Sequence, residues 1–226
     1  MDLDLGYKFI NTNLLKTALT HTSFSHEKKY DVDNNEKLEF LGDAVLELVI
    51  SKHLFKTYKE LSEGELTKFR ASVVCEESLA RVAKEINIGH NIRLGKGEEL
   101  GGGRKRFSIL SDAFEAIIGA IYLDSNDILE VEKFILSKME NIIKEKRKTF
   151  EMNDAKTYLQ EIIQKTSTEP IKYEIIKEEG PAHNKTFTVK ITHSNKELGI
   201  GKGKSKKDAE QNAAFKAISQ LQKEKQ

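Results

Sequence analysis

The chain is predicted to fold as an all-α domain over residues 1–143, a charged linker at 144–152, and a small α+β domain of order α-β-β-β-α over residues 153–222. Three observations predict this. In the first stretch, apolar residues recur at the three-and-four spacing of helices. In the last stretch, short runs with the period-two spacing of strands are bracketed by one helical stripe on each side. The charge changes between the two. Residues 153–226 hold 14 Lys against 10 Asp and Glu, for +4, whereas the first 152 residues hold 23 basic and 26 acidic residues, for −3. An acidic front and a basic tail suggest separate tasks.

The elements follow in order. Asn13 to Leu19 read as a short helix entered through Thr12 or Asn13 as its cap. HTSFSHEKKYDVDN reads as a polar loop. Its His21 and His26 lack a second ligand at helical spacing, so structural roles are expected of them. NEKLEFLGDAVLELVI, from Asn35 to Ile50, is a helix with apolar residues on almost every side and so should be buried, continuing towards His53. A turn at Ser62–Gly64 opens a helical stretch through Leu66, Phe69, Val73, Leu79, Val82, Ala83 and Ile86. NIGHNIRLGKGEELGGGRKRFSIL is loop-like. Its glycines, followed by Arg104, Lys105 and Arg106, suit either a backbone lying against phosphates or a solvated loop; no GxxxxGK[ST] is present. Ser111–Leu123 is a second helix with apolar residues all round. Glu130–Lys148 is an amphipathic third, through Val131, Phe134, Ile135, Met139, Ile142 and Ile143.

The two apolar helices each carry a contradiction. Glu36, Glu39 and Asp43 sit at i, i+3 and i+7, with Glu47 four further on, so all four fall on one stripe at about 100° per residue. Unpaired carboxylates in a buried helix cost many kcal/mol. Lys37, the one base in the stretch, points away from the stripe. Asp112 and Glu115 lie at i and i+3 on the second helix, and Gly119 continues that stripe, where a missing side chain permits close approach by another helix. Taken alone, these are two acids in an exposed first turn. Facing the first helix, they complete a set of hard oxygen ligands, Glu39, Asp43, Asp112 and Glu115, which suits Mg²⁺ or Mn²⁺ and not zinc. Glu63, at the start of a helix, is by position an ordinary first-turn acid. Phe40, by spacing alone, reads as core.

In the tail, Ala155, Tyr158, Leu159, Ile162 and Ile163 form a helical stripe, with Thr157, Gln160 and Glu161 opposite. Three strands follow: IKYEIIKE, TFTVKIT alternating through Phe187, Val189 and Ile191, and ELGIGKGK alternating through Leu198 and Ile200 before glycines interrupt it. GPAHNK is the turn between the first two. Ser205 caps a last helix that buries Ala209, Ala213, Ala214, Ala217, Ile218 and Leu221. Lys202, Lys204, Lys206 and Lys207 crowd its entry. Free backbone N–H groups, the positive helix end and lysine side chains converge there into a phosphate grip.

Composition narrows the classes. With 38% hydrophobic and 32% charged residues and no apolar run near membrane-span length, the sequence suits a soluble protein. The opening MDLDLGYKF lacks a signal peptide's regions. Cys75 is the one cysteine, which excludes an internal disulfide and a Cys-rich zinc site. A cytoplasmic location is expected.

At this point the motifs name a family. NEKLEFLGDAVLE is similar to the signature of ribonuclease III. LKTALTHTS resembles that family's opening helix, LSEGELTKFRASVV its next acidic turn, and GGGRKRFSILSDAFEAIIGAIYLD its second acidic helix. GPAHNKTFTV and GKGKSKKDAEQNAA resemble a double-stranded-RNA-binding domain. Carried over by position, Glu39, Asp112 and Glu115 resemble the metal ligands. Asp43 resembles the essential, water-holding aspartate, and Glu36 and Glu63 resemble supporting acids of the catalytic valley; Glu47 has no counterpart. Phe40 matches the aromatic that enters the dimer partner. Thr157, Gln160 and Glu161 match a face that meets one RNA minor groove, His183 a loop that reaches the next, and Lys204, Lys206 and Lys207 the phosphate contacts between. Lys37, Ala44 and Ser111 depart from the family pattern at positions without chemistry. The resemblance implies a homodimeric endoribonuclease that cuts double-stranded RNA with metal-activated water, one cut per strand, leaving 5′-phosphate and 3′-hydroxyl ends with short 3′ overhangs. Mg²⁺ is the implied cofactor, with Mn²⁺ able to substitute, and ribosomal precursors and structured messages are the implied substrates. A double-stranded-RNA-binding protein with a non-cutting front domain is the alternative. A helical nucleotide pyrophosphatase would also use acid stripes, but not the basic tail module.

Overall fold

The computed structural model describes residues 3, 5–29, 31–153, 155–181 and 184–223. The chain divides into two compact units, residues 1–146 and 147–226. The first contains α1 (Thr12–Ala18), α2 (Thr22–Glu27), α3 (Glu36–Thr57), α4 (Glu63–Val73), α5 (Glu76–Glu85), α6 (Ile88–Asn91), α7 (Lys96–Leu100), a 3-10 turn at Gly103–Lys105, and α8 (Phe107–Ser125). α9 (Ile128–Asn153) follows, then α10 (Ala155–Gln164), β1 (Lys172–Glu179), β2 (Thr186–His193), β3 (Lys196–Gly203) and α11 (Lys206–Lys223). The fold class is the expected one: a helical domain, then α-β-β-β-α. The charged segment 144–152 is helical and completes α9, since Lys, Glu and Arg are good helix formers and no glycine or proline interrupts them.

α8 is the axis of the helical domain. Ile109, Leu110, Ala113, Phe114, Ile117, Ile118, Ala120 and Ile121 are all buried, and the helix packs against α3, α5 and α1. It begins at Phe107, four residues before Ser111. Ser111 is therefore not the helix's first residue: it is buried inside the helix and its Oγ donates to Ser108 O at 2.8 Å. The far end of α8 is tied to the chain's start. Asp124 accepts from Tyr7 Oη at 2.8 Å and from the backbone N–H groups of Ile10 and Asn11 at 2.8 and 2.7 Å.

Several local expectations shift. Asn11, not Thr12 or Asn13, caps α1, its side chain accepting from Asn13 N at 3.1 Å. The polar stretch after Leu19 contains α2, begun by the His21 ring, which accepts from Ser23 N at 3.3 Å. The helical stretch after Ser62 breaks at Val74–Cys75 into α4 and α5. α4 opens with a capping box: Glu65 N donates to Ser62 Oγ at 3.4 Å and Ser62 N to Glu65 Oε2 at 2.7 Å. The loop-like segment 87–106 holds two short helices and a 3-10 turn pinned by Arg104. Its guanidinium donates to the carbonyls of Gly89, His90 and Ile92 and pairs with Glu99 through two bonds of 2.6 Å.

In the second unit, the sheet order is β1-β2-β3, antiparallel throughout. Ser194 and Asn195, both at positive φ (50° and 62°), make the two-residue turn between β2 and β3. The glycines of β3 do not interrupt it. Gly199, Gly201 and Gly203 form the face on which α11 lies; a Cβ at Gly201 would come within 2.1 Å of Ala213 N. Ala209, Ala213 and Ala217 complete this close packing with Val189, Ile191, Leu159 and Ala155.

Candidate functional site

The acids come together where α3 crosses α8. Both helices present backbone to one another at the crossing. A Cβ at Gly42 would lie 1.8 Å from Glu115 O, and one at Gly119 would lie 2.2 Å from Leu38 O. Gly119 is thus the close-approach residue expected from its stripe. Gly42 is its counterpart on α3, three residues after Glu39 on the same stripe; the reasoning applied to Gly119 would have found it. With the backbones in contact, Glu39 of α3 and Asp112 and Glu115 of α8 each offer a carboxylate oxygen within 4.8 Å of the others.

The electrostatics mark this as an unfinished cluster. Burial, then the charges of Asp43, Asp112 and Glu39, push the Glu115 carboxyl up to about 8 from an ordinary 4.5. Burial, then Asp112, Glu36 and Asp43, raises Glu39. Asp112 is raised by burial, with Glu76 adding to the effect and the hydrogen bond from Ser111 and the nearby His21 opposing it. Each carboxylate is thus half out of water and surrounded by others of its own sign. A cation among them reverses both penalties, and three hard oxygens at this spacing are the donor set that Mg²⁺ or Mn²⁺ takes. The residues fit such an ion.

The remaining acids divide. Asp43 is exposed one turn along α3 and its charge acts on both Glu39 and Glu115. Glu36 is exposed, bonded to Asn34 Nδ2 at 3.1 Å, and acts on Glu39. Glu47 is half-buried and takes no part in the shifts of the cluster. Glu63 stands in the first turn of α4, where Thr67 Oγ1 donates to it at 3.2 Å. It lines a cavity of about 580 Å³ between α3 and α4 rather than the cluster. Glu76, at the start of α5, and His21 enter the field of Asp112 and were not foreseen; they come from segments far apart in sequence, so no spacing rule finds them. Phe40 is not core: it is 81% exposed.

In the second unit, Thr157, Gln160 and Glu161 are exposed on α10, opposite buried Ala155, Leu159 and Ile163. Lys206 and Lys207 are exposed in the first turn of α11, and Ser205 Oγ accepts from Asp208 N at 3.1 Å, capping it. Lys204 Nζ donates to Asn184 Oδ1 at 2.6 Å. His183 lies outside the described residues.

An acid cluster at a helix crossing, joined to a basic α-β-β-β-α module, is the make-up of a nuclease for a double-stranded nucleic acid. The comparisons name it more closely. A family model described as Ribonuclease-III-like matches residues 11–145, and one described as Double-stranded RNA binding motif matches residues 155–221. "Ribonuclease 3" of Caldanaerobacter subterraneus subsp. tengcongensis is 49% identical over 98% of this chain and 96% of its own. "Ribonuclease 3" of Clostridium tetani is 51% identical over 97% of this chain and 92% of its own. Among solved structures, the nuclease domain of ribonuclease III from Campylobacter jejuni aligns with a TM-score of 0.57 and 45% identity, over 61% of this chain and 92% of that one. The chain belongs to the ribonuclease III family. It is an endoribonuclease with a double-stranded-RNA-binding domain. Among the described residues no helix is long and apolar enough to cross a membrane.

Proposed function

We propose that Glu39, Asp112 and Glu115 hold Mg²⁺, with Mn²⁺ able to substitute, and that Asp43 orients the attacking water. The observation that carries this is the convergence of three carboxylate oxygens within 4.8 Å, with Glu115 pushed up to about 8 by burial and then by its neighbours' charge. When bound, the ion lowers the pKa of water and neutralises charge developing on the phosphate. The chain's own residues do the rest. Asp43, exposed beside the cluster, accepts a hydrogen bond from the water and fixes its direction of attack. Glu36 and Glu63 are supporting acids. The Gln160 face of α10 and the His183 loop meet successive minor grooves, and Lys204, Lys206 and Lys207 grip the phosphates between, a recognition of A-form shape rather than of sequence. The products carry 5′-phosphate and 3′-hydroxyl ends. A homodimer, joined through Phe40, places one site on each strand. Ribosomal RNA precursors and structured messages in the cytoplasm are the natural substrates.

The test compares the parent with Glu115→Gln on a long RNA duplex, in Mg²⁺ and then in Ca²⁺. The parent cuts in Mg²⁺ and not in Ca²⁺; the variant binds the duplex and does not cut. Equal cutting by both would refute the site. Binding without cutting by the parent would return the non-catalytic reading.

A further inference from the structure

The α3–α8 crossing is closer than side chains allow. A Cβ at Gly42 would meet Glu115 O at 1.8 Å, Glu115 C at 2.6 Å and Gly119 N at 3.0 Å; a Cβ at Gly119 would meet Leu38 O at 2.2 Å, Leu38 C at 3.1 Å and Gly42 N at 3.2 Å. These contacts are reciprocal, and they fall on the ligands' own backbone. Gly42 touches the peptide of Glu115, and Gly119 touches the carbonyl of Leu38, which leads directly into Glu39. The cluster takes Glu39 from α3 and Asp112 and Glu115 from α8. The gap between its two sides is therefore the separation of the two helices at this point.

We propose that Gly42 and Gly119 are positioning residues that set the carboxylate gap and thereby the size of ion the site accepts. This rests on the metal-site reading above. Ordinary contact for a Cβ begins at 3.4 Å, so an alanine at Gly119 requires the backbones to part locally by about 1 Å. Mg²⁺ demands oxygens at about 2.0–2.1 Å in a near-ideal octahedron, whereas Ca²⁺ takes about 2.3–2.6 Å with flexible geometry. Parting the helices therefore penalises the small ion more than the large one. Neither glycine has a side chain to offer substrate or ion; each acts through the position of Glu39 or Glu115.

The experiment is ion binding to RNA-free protein, with Mn²⁺ followed by its free-ion spin-resonance signal and Ca²⁺ by competition. In Gly119→Ala, Mn²⁺ affinity falls at least about tenfold, the scale of losing an orienting group around a metal, and Ca²⁺ affinity falls less. Adding Asp112→Glu to that variant, one methylene longer, restores part of the Mn²⁺ affinity. Met139→Ala, which empties buried space on α9 rather than on either crossing helix, lowers stability and leaves Mn²⁺ affinity unchanged. A folded Gly119→Ala with parental Mn²⁺ affinity, or with equal losses for both ions, would overturn the proposal. If Gly119→Ala does not fold, Asp112→Glu alone in the parent decides. With the gap fixed, the longer arm crowds the site and lowers Ca²⁺ affinity more than Mn²⁺ affinity; unchanged affinities for both ions would overturn the proposal. A parent that neither binds Mn²⁺ nor cuts RNA refutes the metal-site reading itself, a result distinct from these.

Discussion

At the scale of a residue, Glu115 sums up the site. In the folded chain its carboxyl holds a proton up to about pH 8, while the unfolded chain releases it near 4.5. Between those values the native state binds more protons than the unfolded one, so this group's contribution to stability is full below the unfolded value and is lost as pH rises through the folded one. With divalent ions chelated, the parent's melting temperature is therefore expected to fall between pH 5 and pH 8 more steeply than that of Glu115→Gln, in which the group cannot titrate. Mg²⁺ added at pH 8 is expected to recover the loss in the parent and not in the variant. Parallel pH profiles for the two proteins would refute the assignment of the shift to this residue. The acids were legible in the sequence because a carboxylate stripe on an all-apolar helix is a local contradiction, visible at fixed spacing. What joins them was half legible. Gly119 stood out on its stripe and Gly42 sits on the matching stripe of α3, but that the two meet depends on where the helices cross, and no single helix carries that information.

At the scale of elements, the long periodic helices and the three strands follow from pattern, and the short ones do not. α2 and α6 have too few residues to stand on propensity. One local tie and two tertiary ones make them: the His21 cap for α2, Arg104 on three carbonyls around α6, and a parallel bridge between Thr20 and Arg93. α3 departs in the other direction. Apolar on almost every side, it nevertheless leaves one face open. β3 departs through its glycines, which resemble an interruption in sequence but are the surface onto which the alanines of α11 close. The entry of α11 carries a prediction of its own. Ser205 caps the helix, and Lys206 and Lys207, the proposed phosphate contacts, are exposed in its first turn, with Lys206 Nζ also 5.9 Å from the centre of the Phe187 ring. Replacing either by Ala is expected to weaken duplex binding irrespective of sequence and to flatten the plot of log affinity against log salt by just under about one unit per lysine. Fluorescence anisotropy across a KCl series measures this; a loss of affinity at unchanged slope would mean that the lysine acts otherwise than on phosphate.

At the scale of the whole molecule, α3 serves two sides at once. One side carries Glu39 into the acid cluster. The other leaves Phe40, Leu48 and Phe55 exposed at 81%, 60% and 71%, large apolar groups that a single copy does not cover. Beside them Leu48, Leu54, Phe55, Leu61 and Leu66 line the cavity of about 580 Å³. In the proposed dimer, the projecting aromatic and the cavity are the two halves of an isologous contact, in which each copy supplies both. The proposed dimer buries Phe40 of each copy against the other, with the two acid clusters close to the seam because Glu39 and Phe40 are adjacent. Phe40→Ala is then expected to weaken dimerisation by at least about 2 kcal/mol, the scale of a central aromatic anchor, which sedimentation at a series of concentrations reads as a shift to monomer. Since Phe40 is not part of its own chain's core, the far-ultraviolet spectrum is expected to stay parental. The products change with the assembly. A dimer cuts both strands in one encounter, whereas separated chains nick one strand at a time, so native gels are expected to show nicked duplex accumulating before double cuts. A variant that remains dimeric at concentrations where the parent does, or that yields double cuts in the parental proportion, would remove Phe40 from the seam.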